Sequence, residues 1–316
     1  MQNISSLKKQ EKPKRTSSYR IARPSVIILF LLPAMVLFLT FVIYPIGQGV
    51  YVSLYKWNGL GPLEQFIGFK NYIKLFQHDA FKQALEHVLI IIVMSVGVQL
   101  PIALALALLV GRKLPGRTFF RGLFFLPYII SEAITAILWS FIFNPRFAAS
   151  DIINSVLDHL LPFFEPGPWL GDPDKVLIAI FVVLTWKYFG LHMILFIAGL
   201  QDIPEEVEEA ASIDGANNLQ RLRFVTIPML SRTIFLSIYL SVLGSIQQFD
   251  LVWLMTEGGP ARASEVLTTY MYLQGFISFR LGYGSAVSVV LFAICVVFSL
   301  MYQRSVSYTH LRAHET

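Results

Sequence analysis

Six long apolar runs decide what this chain can fold into. They extend approximately from Val26 to Pro45, His87 to Val110, Phe119 to Phe143, Val176 to Leu200, Met229 to Met255 and Ser285 to Tyr302. Each is close to the roughly 20 apolar residues that cross about 30 Å of hydrocarbon as a helix. Lipid offers the backbone no hydrogen-bond partners, so a spanning segment must satisfy its own N–H and C=O groups as a helix or within a closed barrel. The alternating pattern of barrel strands is missing, and several runs are dominated by Leu and Ala. With 55% hydrophobic and only 14% charged residues, the chain is also too apolar for an ordinary soluble domain. The expected fold class is therefore all-α, a polytopic membrane protein with six transmembrane helices.

Basic residues next to the spans set the orientation. The stretch before the first run holds Lys8, Lys9, Lys12, Lys14, Arg15, Arg20 and Arg23, and the link after the second holds Arg112, Lys113, Arg117 and Arg121. Both are assigned to the cytoplasm, which two intervening crossings permit. The loop from Asn144 to Lys175 carries Asp151, Asp158, Glu165, Asp172 and Asp174 against Arg146 and Lys175, as a non-cytoplasmic loop can. Six spans return the C-terminus to the cytoplasm, and they place the loop between the fourth and fifth spans there too. The basic start is not read as a secretory signal, because the first apolar run is longer than a signal core and no small-x-small cleavage site precedes Tyr44 and Pro45. Residues 1–24 are accordingly expected to be a basic cytoplasmic tail and 25–305 the six-span domain.

The net charge of +5 is explained by these cytoplasmic flanks and gives no case for nucleic acid. Cys295 is the only cysteine, which excludes an intrachain disulfide and any CxxC metal or redox motif. The last residues, "VSYTHLRAHET" from Val306 to Thr316, break the hydrophobic pattern and resemble the translation of a sequencing adapter. Segment 306–316 is expected to be artefactual, so His310 and His314 are not read as metal ligands. No metal site is expected anywhere in the chain.

One stretch is soluble in character. "EEVEEAASIDGANNLQRLRFVTIPML", Glu205 to Leu230, follows an Asp202 positioned to cap a helix, with Glu205 three residues on and Pro204 in the first turn. Glu205, Glu206, Glu208 and Glu209 favour the positive end of that helix dipole. Val207, Ala210 and Ala211 form a small apolar strip, and Asp214-Gly215 supplies the stop. A second helical pattern runs through Leu219, Leu222 and Val225 to Pro228. A membrane-surface helix should carry Lys or Arg on its polar face and large apolar residues beneath. This one carries four Glu and two Ala, which suits a helix docked against protein better.

The spacing Glu209-Ala210-Ala211, three residues, Gly215, nine residues, Val225, one residue, Ile227-Pro228 resembles the EAA loop of permease subunits in binding-protein-dependent ABC importers. Val225 stands where Ile is usual, Ile227 where Leu is usual and Leu222 where an aromatic is frequent. "LFFLPYIISEAITAILWSFIFNP" from Leu123, "FDLVWLMTEGGP" from Phe249 and "LTTYMYLQGFISFRLGYGSAVSVVLF" from Leu267 are similar to the maltose-type, carbohydrate-importing branch. The resemblance implies the type I importer permease fold, with the coupling loop at 202–228. It implies that Glu209, Ala210, Ala211, Asp214, Gly215, Ala216, Val225, Ile227 and Pro228 meet an ATPase. The implied partners are a second permease, two cytoplasmic ATPases and an extracytoplasmic solute-binding protein that delivers a sugar. The implied location is the cytoplasmic membrane of a bacterium or archaeon. The chain has no GxxxxGK[ST] pattern, so ATP and Mg are expected on the partners, this chain is expected to bind no cofactor, and it is expected not to be an enzyme.

Polar residues inside spans are costly, roughly 2.5 to 3.5 kcal/mol for an Asp or Lys at mid-bilayer, and should face protein or water. Glu132, Trp186, Lys187, Tyr188, His192, Gln247, Gln248 and Asp250 are such residues. Trp186, Tyr188, Gln247, Gln248 and Asp250 are the candidate substrate-pathway residues, since sugars take aromatic faces against C–H surfaces and amides or carboxylates against hydroxyls. Lys187 and Glu132 can instead pair with each other, His192 can serve packing, and Gln99-Pro101 marks a kink. Within the same transport role, a polyol or glycerol phosphate is an alternative substrate. The rival class is an ion-coupled secondary transporter using Glu132 and Asp250, for which the expected internal repeat is not found.

Overall fold

The computed structural model describes residues 24–111, 116–146, 148–160 and 165–312, with side chains described between 28 and 304 within those ranges except at residue 160. The basic N-terminal tail, Arg112 and Lys113 lie outside the described residues, and the suspected artefact is described only as helical backbone as far as Arg312. The chain divides into two compact units, 1–48 and 49–316. The first unit contains α1 (Pro24–Phe38), a π-helical turn at Leu39–Ile43 and the start of α2 (Tyr44–Ser53). Together these form one apolar helix, Ile28–Ser53, long enough to cross a membrane.

The second unit continues with α3 (Lys70–Gln77), α4 (Asp79–Met94), α5 (Leu100–Gly111), α6 (Arg117–Ile129), α7 (Glu132–Ile142), α8 (Ala148–Leu160) and α9 (Val176–Gln201). It ends with α10 (Glu205–Ile213), α11 (Asn218–Arg221), α12 (Ile227–Met229), α13 (Ser231–Gln247), α14 (Asp250–Thr256), α15 (Leu267–Tyr272) and α16 (Leu281–Arg312). Among the described residues no strand forms, and one isolated bridge joins Tyr55 to Phe66. Among the described residues, four helical stretches are long and apolar enough to span, namely Ile28–Ser53, Asp79–Gly111, Val176–Gln201 and Leu281–Arg304. Two bent pairs bring the total to six. The all-α, multi-pass fold is as expected.

Helix α9 is apolar all round and accordingly central. It packs on α5, α6 and α13, burying Val176, Ala179, Ile180, Val183, Met193, Phe196 and Ile197. Lipid is as apolar as these side chains, so close packing rather than water exclusion holds the spans together, and small residues mark the closest approaches. Ala103 and Ala107, one turn apart on α5, meet Met193, Phe196 and Ile197 of α9 in one buried cluster. Gly190 lies so near α6 that a Cβ there would stand 2.0 Å from the Phe124 carbonyl oxygen.

The third span is broken. It bends by 95° between Ile129 and Glu132. Pro127 lacks an N–H, Ile130 is extended, and Ser131 restarts the helix by accepting the Ile134 N–H at 3.3 Å. The broken end needs a donor for its freed carbonyl, and Lys187 of α9 supplies it by donating Nζ to the Ile130 carbonyl. Lys187 therefore serves as a backbone cap, while still interacting electrostatically with Glu132, the partner the sequence offered. The fifth span is also interrupted. Gln248 is extended, α14 restarts at Asp250 and packs on α7, and the Gln248 carbonyl accepts from Thr268. The kink expected at Gln99-Pro101 takes the form of a π-helical turn at Ser95–Gln99. His87 Nδ1 lies 2.8 Å from the Glu265 carbonyl oxygen. Burial pushes the Glu265 carboxyl above the usual carboxylate range, while the Arg262 guanidinium pulls it down.

Candidate functional site

Two features stand out in the second unit: a polar cavity among the spans and the soluble loop at one end. The cavity encloses about 360 Å³. Its walls come from the π-helical turn after α4 (Ser95, Gln99), from α6 and α7 (Tyr128, Glu132), from α9 (Tyr188, His192) and from the interrupted fifth span (Ser241, Ser245, Gln247, Gln248, Asp250). The two helix breaks bring these together. Glu132 opens α7, where the bend places it against α9, and it accepts from the Tyr188 hydroxyl and from Gln248 Nε2, the latter at 3.5 Å. Tyr128 stands edge-on to Tyr188, with ring centroids 6.1 Å apart. His192 is only 3% exposed, and its Nδ1 has no hydrogen-bond partner among the described residues.

Four of the five substrate-pathway candidates therefore line one cavity: Tyr188, Gln247, Gln248 and Asp250. Trp186 lies elsewhere, edge-on to Trp139 at 5.5 Å in an apolar groove with Phe124 and Phe189. It is on the same helix as Tyr188 but two residues away, about 200° around the axis, so the two rings cannot share a face. Sequence reasoning missed Ser95, Ser241 and Ser245 and treated Gln99 only as part of a kink. The signal was present: Ser95 and Gln99 are four residues apart, and Ser241, Ser245 and Gln248 recur at helical spacing, a polar stripe along an apolar span. The cavity's chemistry is that of hydroxyl recognition, with amides, hydroxyls, an imidazole and two carboxylates around aromatic rings.

The loop between α9 and α13 forms as the expected pair of short helices, with one change at its start. Pro204, not Asp202, precedes α10 in extended conformation, and no side chain caps that end. The reciprocal cap appears instead at α11, where Asn217 accepts the Gln220 N–H at 2.9 Å and Gln220 accepts the Asn217 N–H at 2.8 Å. Asp214 and Gly215 end α10 as expected: Gly215 has φ +83°, and the Ala216 N–H returns to the Ala211 carbonyl at 3.0 Å. A π-helical turn at Leu222–Thr226, which includes Val225, joins α11 to α12, where Ile227 and Pro228 lie.

None of the α10 side chains is buried. Glu209, Ala210, Asp214 and Gly215 are exposed, Ala211, Ala216 and Val225 half-buried, and Ile227 and Pro228 exposed. Ile213 is 86% exposed, Leu219 72% and Phe224 68%, large apolar side chains left uncovered on an otherwise polar loop. Ile213 and Phe224 were not singled out from sequence. Beside them opens a cleft of about 650 Å³ lined by Glu205, Glu208, Glu209, Arg117, Arg221 and Thr226. Leu108, Gly111 and Leu200 share this cleft, which puts the loop at the end of the bundle where α5 ends and α6 begins.

Residues 99–307 match the family described as binding-protein-dependent transport system inner membrane component. The chain is 36% identical over 275 residues to the probable ABC transporter permease protein YurN of Bacillus subtilis, covering 86% of this chain and 93% of that one. It is 34% identical over 280 residues to the lactose transport system permease protein LacF of Rhizobium radiobacter, covering 86% and 91%. In fold it is similar to a chain of the bacterial alginate ABC transporter crystallised with an alginate pentasaccharide-bound periplasmic protein. The TM-score there is 0.74 at 22% identity, covering 88% of this chain and 92% of the other.

Proposed function

Because the chain belongs to the binding-protein-dependent transport system inner membrane components, we propose that it is the pathway-forming subunit of an ATP-driven carbohydrate importer. A second permease completes the translocation path, and two cytoplasmic ATPases hold ATP and Mg. An extracytoplasmic binding protein presents the sugar. This chain performs no hydrolysis itself. Both termini and the loop from Glu205 face the cytoplasm of a bacterium or archaeon. Residues 1–24 form a basic tail and 25–305 the transmembrane domain, and 306–316 are not native sequence.

The observation that carries this proposal is the loop. Its helices expose Ile213, Leu219 and Phe224 around a Gly215 stop and beside a charged cleft, at the end of the bundle where α5 and α6 meet. Glu209, Ala210, Ala211, Asp214, Gly215, Ala216, Val225, Ile227 and Pro228 build the seat that enters the ATPase. Closure of the ATPases on ATP moves this seat, and the spans follow by exchanging inward for outward access. Loaded binding protein favours the outward state, since a partner shifts a conformational equilibrium only through differential affinity. The substrate passes Tyr188, Gln247, Gln248 and Asp250. The carbohydrate assignment is supported by the relative named for lactose transport and by the hydroxyl-matching cavity.

A cysteine at the loop tests the docking directly. In a Cys295→Ser background, Ile213→Cys is expected to form a disulfide with a cysteine placed in the cleft of the co-expressed ATPase, with a yield that changes on adding ATP. Equal, low yields from Ile213→Cys and from a cysteine on the opposite end of the bundle would count against docking.

A further inference from the structure

We infer that this chain's wall of the cavity admits uncharged saccharides and excludes anionic ones, with Glu132 and Asp250 as the excluding charges; the inference rests on the carbohydrate-importer proposal above. The lining contains two carboxylates, Glu132 and Asp250, and no ammonium or guanidinium group. Lys187 does not line the space: it is 3% exposed and donates to the Ile130 carbonyl, and its charge acts on Glu132 from behind the wall, so Asp250 carries the larger share of the repulsion. Glu132 is held at the bend by Tyr188 and Gln248, and Asp250, the first residue of α14, lines the same cavity.

The remaining polar side chains on the wall are serine and tyrosine hydroxyls, the amides of Gln99, Gln247 and Gln248, and the His192 imidazole. These donate to and accept from hydroxyls, and the unpartnered Nδ1 of the buried His192 adds one more position for a hydroxyl. A phosphate or uronate needs the opposite equipment, a fork of Arg or a Lys. Beside two carboxylates an anion is repelled, and the more so where solvent screens the charges less. A saccharide hydroxyl instead gains a charge-assisted bond by donating to the same oxygens.

The test uses the complete importer in proteoliposomes with its binding protein outside. Lactose, trehalose and sn-glycerol 3-phosphate are offered as external solutes. The expected result is ATP-dependent uptake of a neutral sugar. To separate selection by the cavity from selection by the binding protein, the transported sugar or its anionic analogue, lactobionate for lactose or trehalose 6-phosphate for trehalose, is then trapped inside, where no binding protein is present. The neutral sugar is expected to inhibit uptake from within at concentrations at least roughly tenfold below its anionic analogue. Asp250→Asn, and separately Glu132→Gln, which keeps an acceptor for Tyr188, are expected to close most of that gap.

Equal inhibition by the two analogues in the wild type, or an unchanged gap in both variants, overturns the inference. Uptake confined to sn-glycerol 3-phosphate overturns it too, while leaving an ATP-driven importer in place. Absence of ATP-dependent uptake for every solute counts against the carbohydrate proposal itself and removes the inference with it.

Discussion

Replacing Gly190 by alanine is expected to leave little or no assembled protein in the membrane. The added Cβ would stand 2.0 Å from the Phe124 carbonyl oxygen and 2.8 Å from its carbon, and both are backbone atoms that cannot swing aside. Helices α6 and α9 must therefore separate, which loosens the bend that Lys187 caps from the same helix. Overpacking of this kind typically costs about 1–3 kcal/mol, and more where backbone must move. Gly122 on α6 is the matched control, because nothing lies within 4 Å of a Cβ built there. Gly122→Ala should retain near wild-type yield and thermal midpoint in detergent, and Gly190→Ala should lose most of the monodisperse fraction. Equal behaviour of the two would show that the α6–α9 contact does not set the fold.

Gly215→Val is expected to uncouple ATP hydrolysis from uptake while leaving the spans folded. Gly215 has open space around it, so no neighbour resists the side chain. Its φ of +83° does, because a left-handed conformation costs an L-residue roughly 1–2 kcal/mol, and a β-branched one is a genuine outlier there. Helix α10 has nine residues and no buried side chain, so little else holds its C-terminal turn once the stop fails. Gly215→Asn separates conformation from mere substitution, since Asn visits the left-handed region routinely. The ratio of sugar moved to ATP hydrolysed should fall at least roughly tenfold in the valine variant, corresponding to about 1.4 kcal/mol or more, and only mildly in the asparagine variant. Full coupling in Gly215→Val would remove the loop from the energy path.

Much of the architecture was legible because the bilayer imposes a length. Six apolar runs gave the spans, and the charged stretch between the fourth and fifth stood out as soluble. The stop at Gly215 was readable because few residues other than glycine accept its φ. The breaks were harder, since their partners are remote in sequence. The bend after Ile129 is stabilised by Lys187, and the interruption at Gln248 by Thr268. Apolar composition is the same for a straight span and a broken one; Pro127 and Ser131 are local marks of the third span's break, but the donor that caps it lies on another helix. The cap at Asn217 rather than Asp202 has a local cause, the extended Pro204 that starts α10 itself.

The same breaks explain what was and was not legible in the cavity. Polar residues in apolar spans flagged Tyr188, Gln247, Gln248 and Asp250 one by one, and the broken third and fifth spans bring them together. Trp186 shared their chemistry but lies on another face of α9, beside Trp139. Residue type alone could not separate it from Tyr188, whereas helical phase could. The serines were passed over because each is unremarkable in a transmembrane helix, and only their spacing against Gln99 and Gln248 marks them as a stripe.

The measurement that bears most directly on the central claim is uptake in proteoliposomes assembled stepwise. This chain alone, this chain with the second permease, and the complete set with ATPases and binding protein are compared under an imposed proton or sodium gradient and, separately, with ATP on the ATPase side. Accumulation is expected only in the complete set and only with ATP, whatever the ion gradient. Gradient-driven accumulation by this chain alone would contradict that account and return Glu132 and Asp250 to the role of ion-coupling carboxylates.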